Sequence, residues 1–184
     1  MAEPQFFPQY FDELARRLHD ASPEQLEALC AVLVGAGARG GKIVLAGNGA
    51  SAAIASHVAV DLTKVSGIRS VNFNEADLIT CFANDYGYEQ WMARAIAAYA
   101  DPGDVAVIVS SSGKSANVLA AARQARDSGL RVVTLSGFEP DNPLRALGDV
   151  NLWVNSRSYN VIEVTHQSWL LAAVDSIAAT RQDP

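Results

Sequence analysis

Short, unbroken apolar runs alternate along the chain with longer stretches in which apolar residues recur every three or four positions. Residues 43–46 and 105–109 are apolar throughout, which is typical of strands buried on both faces of a parallel sheet. Residues 6–19 instead place apolar side chains at helical spacing, and Ser22 with Pro23 is a typical helix start. Strands alternating with helices predict an α/β fold with a parallel sheet and helices on both faces.

The same patterns divide the whole chain into elements. Strands are predicted at residues 42–46, 68–73, 105–109, 131–135 and 150–154. Helices are predicted at residues 6–19, 23–36, 51–64, 75–82, 88–99, the stretch that ends at 128, and 159–181. A turn is predicted at residues 84–87 and a loop at residues 137–142, where Gly, Asn, Asp and Pro cluster.

Length and composition are those of one globular domain. The chain has 184 residues and 49% of them are hydrophobic, so we expect a single domain, 1–184, with N-terminal helices at about 5–38 and an α/β core at about 42–180. Polar residues interrupt every apolar stretch before it could span a membrane, and residues 1–4 show no secretory signal. Cys30 and Cys81 form no metal or redox motif, so we expect buried free thiols and a cytoplasmic protein.

The charge distribution argues against nucleic-acid binding. Lys and Arg number 14 against 20 Asp and Glu, giving a net charge of −6, and the basic residues form no stripe. An anionic ligand would therefore be held locally, by backbone N–H groups, hydroxyls and a helix dipole.

Two loops have the composition of phosphate cradles. Gly47–Ser51 follows the first apolar run, and Ser110–Ser115 follows the run at 105–109. Each precedes an Ala-rich helical stretch, whose N-terminal donors and positive dipole end favour an anion. Two such loops in one α/β domain predict a ligand with a phosphate at one end and several hydroxyls.

Two nucleotide-binding motifs match poorly. Residues 47–52 fit the loose dinucleotide pattern, but the nearest acidic partner, Glu75, comes late for a ribose contact. Gly113–Ser115 resembles the end of an ATP-binding P-loop, but Ile108 stands where that motif requires glycine. We therefore expect no nucleotide or redox cofactor.

Three runs together resemble one family. Gly47–His57, Ala83–Glu89 and Ser110–Val118 are similar to the sedoheptulose-7-phosphate isomerase (phosphoheptose isomerase) branch of the SIS, or sugar isomerase, family. The resemblance spans roughly residues 5–180. It implies a flavodoxin-like parallel sheet and a homotetramer with active sites at subunit interfaces. The same family includes a close non-catalytic relative, which binds a replication initiator.

The resemblance implies a set of substrate-binding residues. The phosphate contacts would be Ser110, Ser111, Ser112 and Ser115. The sugar-chain and hydroxyl contacts would be Asn48, Gly49, Ser51, Asn84 and Asp85.

The chain departs from the family at the metal and acid–base positions. The family's His and Glu zinc ligands correspond to His57 and Asp61, and its final-helix Gln and His correspond to Ile162 and Leu170.

Shifted residues could rebuild that site. His57 and Asp61 share a helix face at i, i+4, and Glu163 and His166 do so at i, i+3. These four residues are the candidate metal ligands, and Zn²⁺ is the metal they would take. Glu163, His166 and Asp61 are the candidate catalytic groups, with Glu163 as the base.

Two functions fit this sequence. The first is an aldose–ketose isomerase that acts on a phosphorylated sugar, a heptose phosphate, through an enediolate. The second is a non-catalytic SIS protein that binds a sugar phosphate or a protein partner, as the replication-initiator-binding relative does. The residues at 61, 162 and 170 favour the second function, whereas Glu163 and His166 favour the first.

Overall fold

The computed structural model describes residues 5–181, and a five-stranded parallel sheet lies at its centre. The strands are β1 (Ile43–Gly47), β2 (Ser70–Asn72), β3 (Val105–Ser110), β4 (Arg131–Ser136) and β5 (Val150–Trp153). The helices are α1 (Phe6–Arg17), α2 (Pro23–Ala38), α3 (Ala50–Lys64), α4 (Ala76–Tyr86), α5 (Trp91–Tyr99), α6 (Ala116–Asp127) and α7 (Tyr159–Arg181), with a 3₁₀ turn at Arg145–Leu147.

The strand order β2-β1-β3-β4-β5 confirms the predicted flavodoxin-like sheet. In such a sheet, ligands bind beyond the carboxyl ends of the strands where the order reverses, here between β1 and β3. Gly47 pairs in register with Val109, so the two predicted phosphate-cradle loops leave the sheet side by side.

Side chains at alternate strand positions pack into two separate hydrophobic layers, one on each face of the sheet. Leu45 and Val107 face a layer that includes α2, α3 and α7. Val44 and Ala106 face the opposite layer, built with α5 and α6. The unbroken apolar strands follow from this burial on both faces.

Helix α1 lies outside both layers. It has no buried residue, and its contacts within the described chain are mainly with α7 and the loop before it. Ser156 Oγ donates to Glu13 at 2.7 Å, the Asn155 N–H donates to Asp20 just beyond the helix at 2.7 Å, and Trp169 Nε1 donates to the Leu18 carbonyl at 3.0 Å.

Several sequence expectations require correction. The turn predicted at 84–87 is wrong in part, because α4 continues through Tyr86 and only Gly87 leaves it. Cys81 is exposed rather than buried, and Cys30 is half-buried. Across residues 5–181, no helix is long and apolar enough to cross a membrane.

Candidate active site

The second loop turns sharply between β3 and α6. Gly113 has a φ of +62°, and a Cβ built on it would stand 2.0 Å from Asn142 Oδ1, so the backbone there requires glycine. Ser115 occupies the N-cap of α6, yet its hydroxyl bonds to no helix N–H. The first-turn donors of α6 therefore remain available to an anion.

A cavity of about 140 Å³ lies against this loop. Its lining residues are Asn48, Ser51, Ser110, Ser111, Ser112, Ser115, Tyr159 and Glu163. No lysine or arginine is among them, so an anion here would depend on hydroxyls, backbone N–H groups and the helix dipole. The structure brings together six of the nine residues predicted to bind substrate, all of them from the two loops.

Three of the predicted substrate contacts lie elsewhere. Gly49 forms the exposed N-cap of α3. Asn84 and Asp85 are exposed on the last turn of α4, where the Asn84 amide donates to Asp85 at 2.9 Å. None of the three lines the loop cavity.

Glu163 joins the loop cavity to a second, larger space. Its Oε1 accepts a hydrogen bond from Ser111 Oγ at 3.4 Å, and the residue lines both cavities. The second space is a groove of about 520 Å³, lined by Tyr10, Ala50, Ala53, Ile54, His57, Asn160, Glu163, Val164 and Gln167. One carboxylate therefore faces both the serine loop and a space large enough for a sugar chain.

His57 is held on both sides of its ring in this groove. Its Nε2 lies 3.2 Å from Asp61 Oδ2, and its Nδ1 lies 3.0 Å from Gln167 Nε2. The amide nitrogen of Gln167 can only donate, so Nδ1 accepts, and the ring proton on Nε2 points at Asp61. The i, i+4 spacing of His57 and Asp61 thus gives a direct contact.

His166 does not reach the site. Its ring is fully buried, Nε2 donates to the Ser136 carbonyl at 3.1 Å, and Nδ1 has no partner within the described chain. Burial lowers its pKa to about 4, against the smaller opposing effect of the Ser136 hydrogen bond. The expectation that His166 acts beside Glu163 as a ligand or catalyst does not agree with this position.

The donor set does not fit a zinc ion. Within residues 5–181, no three His, Cys, Asp or Glu side chains cluster closely enough to hold a metal. The family's remaining ligand positions, Ile162 and Leu170, lie in the hydrophobic core. The structure therefore does not support the expected zinc site.

Sequence reasoning missed several residues that border the site. Asn117 pairs with Asn48, and Gln167 holds His57. Tyr159 packs against Phe138 at the cavity edge, with ring centroids 4.8 Å apart and the rings tilted by 59°. Gln167 stands four residues after Glu163 and so shares its helix face, which was an available signal. Asn117, in the first turn of α6, carried no comparable signal.

Comparisons with known proteins agree with this architecture. The model of the SIS domain family matches residues 7–137. The chain is 39% identical over 159 residues to a phosphoheptose isomerase of Streptomyces coelicolor, an alignment that takes in 83% of this chain and 65% of that protein. It is 33% identical over 160 residues to a phosphoheptose isomerase of Aliarcobacter butzleri, covering 84% of each.

A solved structure of another phosphoheptose isomerase has the same fold as this chain. The phosphoheptose isomerase of Francisella tularensis superposes with a TM-score of 0.87 at 26% identity, over 96% of this chain and 98% of that one. The chain spans just under two thirds of the length of the Streptomyces relative. The family match, the sequence identity to phosphoheptose isomerases and the shared fold identify this chain as a member of the SIS domain family, related to its phosphoheptose isomerases.

Proposed function

We propose that this protein is an aldose–ketose isomerase that acts on a phosphorylated sugar, with a heptose phosphate as its substrate. One observation carries the proposal: a carboxylate, Glu163, borders the same cavity as the serine loop suited to phosphate. The phosphoheptose isomerase relatives support the choice of substrate.

The reaction needs a base beside two adjacent carbons. Glu163 would remove the proton from the hydroxyl-bearing carbon next to the carbonyl, which leaves an enediolate, exchange that proton with solvent, and deliver a proton to the neighbouring carbon. The loop Ser110–Ser115 would anchor the phosphate at the other end of the sugar. The reaction is redox-neutral overall, so it requires no nucleotide or redox cofactor.

The oxygen-bound protons need a second group. His57 borders the groove beside Glu163, and its contacts with Asp61 and Gln167 fix both the orientation and the tautomer of its ring. In this proposal, a substrate oxygen replaces the Gln167 amide at Nδ1 of His57. This nitrogen then moves a proton between the two substrate oxygens, and Asp61 at Nε2 stabilises the ring when it is charged. These steps use protein groups alone, and His166 has no part in them.

The proposal includes a homotetramer of one-domain subunits in the cytoplasm. The exposed aromatic residues of α1, Phe6, Phe7 and Phe11, support an assembly, because apolar patches of this kind mark protein interfaces. Two free cysteines agree with a reducing compartment.

Solvent-proton exchange tests the proposal. The protein is incubated with sedoheptulose 7-phosphate in deuterated water, and the sugar is followed by NMR. We expect deuterium to enter at the carbon next to the carbonyl, together with formation of the aldose. Binding of the sugar phosphate with no deuterium incorporation would contradict the isomerase.

A non-catalytic binding module is the second candidate. One observation favours it. Ile162 and Leu170, which stand at the family's Gln and His positions, are buried in the interior, and so is His166, a candidate catalytic group. A protein that binds the sugar phosphate tightly but incorporates no deuterium would have this second function.

A further inference from the structure

Two asparagine side chains join the first cradle loop to the helix that follows the second. Asn48 Nδ2 donates to Asn117 Oδ1 at 2.9 Å, and Asn117 Nδ2 donates to Asn48 Oδ1 at 2.8 Å. Asn48 stands in the loop after β1, and Asn117 lies in the first turn of α6. This reciprocal pair is therefore a side-chain connection across the β1/β3 switch point, directly beside the candidate phosphate loop.

Of the two asparagines, Asn117 is shielded from solvent and Asn48 borders a cavity. Asn117 is buried, with 3% of its surface exposed. Asn48 borders the loop cavity. Its Oδ1 accepts from Asn117 and also takes a longer contact from the Tyr88 hydroxyl at 3.4 Å.

The Asn48 side chain has one hydrogen-bond donor that is not used within the described residues. A carboxamide oxygen has two lone pairs and its nitrogen has two N–H groups. Both lone pairs of Oδ1 are engaged, and one N–H is given to Asn117. The second N–H donates no hydrogen bond within residues 5–181, and Asn48 lines the loop cavity, where a ligand oxygen would be its acceptor.

We infer that Asn117 is a positioning residue, which fixes the Asn48 carboxamide so that its free N–H donates to an oxygen of the bound sugar phosphate. The inference rests on the proposed sugar-phosphate site. Without Asn117, the Asn48 amide can rotate and bond to water, and the substrate must order it again on binding.

A double-mutant cycle on sugar-phosphate affinity tests this role. Calorimetry with sedoheptulose 7-phosphate is carried out on the wild type, Asn48→Ala, Asn117→Ala and the double variant. Each single change should weaken binding about 5- to 10-fold, the scale of one hydrogen bond. The double variant should be no weaker than Asn48→Ala, because Asn117 acts through Asn48.

Two further variants separate positioning from general destabilisation. Asn117→Gln keeps both an amide donor and an amide acceptor for Asn48 and should bind more tightly than Asn117→Ala. Asn151→Ala is the matched control, since Asn151 bonds to Thr134 and Gly148 away from both cavities. This control should leave sugar-phosphate affinity unchanged.

The outcomes are distinct. Additive losses in the double variant, or an Asn117→Ala protein with wild-type affinity, would overturn the inference. If Asn117→Ala does not fold, Asn117→Ser, alone and combined with Asn48→Ala, completes the cycle. A wild type that binds without turnover overturns only the isomerase proposal, whereas a wild type that does not bind the probe overturns both.

Discussion

Glu163 lies where two cavities meet, and a single substitution there tests the chemistry. Glu163→Gln keeps the size of the side chain and an acceptor for Ser111 Oγ, which lies 3.4 Å from the carboxylate. It removes the base, so we expect kcat to fall at least about 100-fold with little change in KM. Steady-state kinetics with sedoheptulose 7-phosphate provides the measurement.

A matched change outside the site controls for the lost charge. Glu139 pairs with Arg157 at 2.7 Å and lines neither cavity, so Glu139→Gln should keep wild-type kcat. Near-normal turnover in Glu163→Gln would remove Glu163 from the role of base.

His166 makes stability depend on pH. Its pKa is about 4 in the folded protein because burial disfavours the charged ring, whereas an unfolded histidine titrates near pH 6.5. Between these two values only the unfolded chain takes up the proton, so the free energy of unfolding falls as pH falls from about 6.5 to 4. The slope from this group approaches about 1.4 kcal/mol per pH unit.

Urea unfolding at several pH values measures this slope. His166→Gln keeps a donor for the Ser136 carbonyl and should flatten the profile in that window. His19, an exposed histidine after α1, is the control, and His19→Gln should keep the wild-type slope. An unchanged slope in His166→Gln would show that the ring is protonated or solvated in the folded state.

At the scale of elements, the serine loop depends on the backbone of Gly113. Gly113→Ala would force a Cβ into Asn142 in addition to a φ of +62°, and Asn142 is buried and bonded to Ser136. We expect a loss of about 2–4 kcal/mol in the free energy of unfolding and weaker phosphate binding. Chemical denaturation and calorimetry with inorganic phosphate measure the two effects.

A substitution at Gly129 measures how much of the lost unfolding free energy comes from the backbone conformation alone. Its φ is +79°, and nothing lies within 4 Å of a Cβ built on it. Gly129→Ala should therefore cost only about 1–2 kcal/mol and leave phosphate binding intact. Equal losses in the two variants would show that the contact with Asn142 does not matter.

Element positions were largely predictable, but the rotation of α7 was not. Its bounds, Tyr159–Arg181, are those predicted from the sequence. Around a helix, His166 is displaced by about 60° from Glu163 and Gln167 by about 40° in the opposite sense. Packing of α7 on the sheet turns His166 into the interior and Gln167 toward His57, and periodicity alone does not fix that choice.

At the scale of the whole molecule, we expect the protein to self-associate through the exposed aromatic residues of α1. Phe7 and Phe11 are 61% and 60% exposed, and burying such side chains is worth about 2 kcal/mol each. We expect light scattering to give a particle about four times the 19.5 kDa of the chain.

Substitutions on α1 show whether this helix makes the interface. Phe7→Glu combined with Phe11→Glu should lower the particle mass without unfolding the subunit, because α1 buries no residue within it. Gln9→Glu adds a charge to the same helix at an exposed polar position and should keep the assembly. A wild-type mass of one chain would contradict the tetramer.

The sequence by itself determined the elements, the parallel sheet and the two cradle loops. These features depend on local signals: apolar periodicity, helix starts, and glycines where the backbone needs them. A strand followed by a serine loop and a helix favours anion binding wherever the rest of the chain lies, and the proposed phosphate site rests on this local pattern.

Only the tertiary structure decided which side chains meet. The contacts of Asn48 with Asn117 and of His57 with Gln167 join residues 69 and 110 positions apart, and the burial of His166 depends on how α7 packs against β4. Such contacts follow from the packing of whole elements, which sets the rotation of each helix by the fit of many side chains at once.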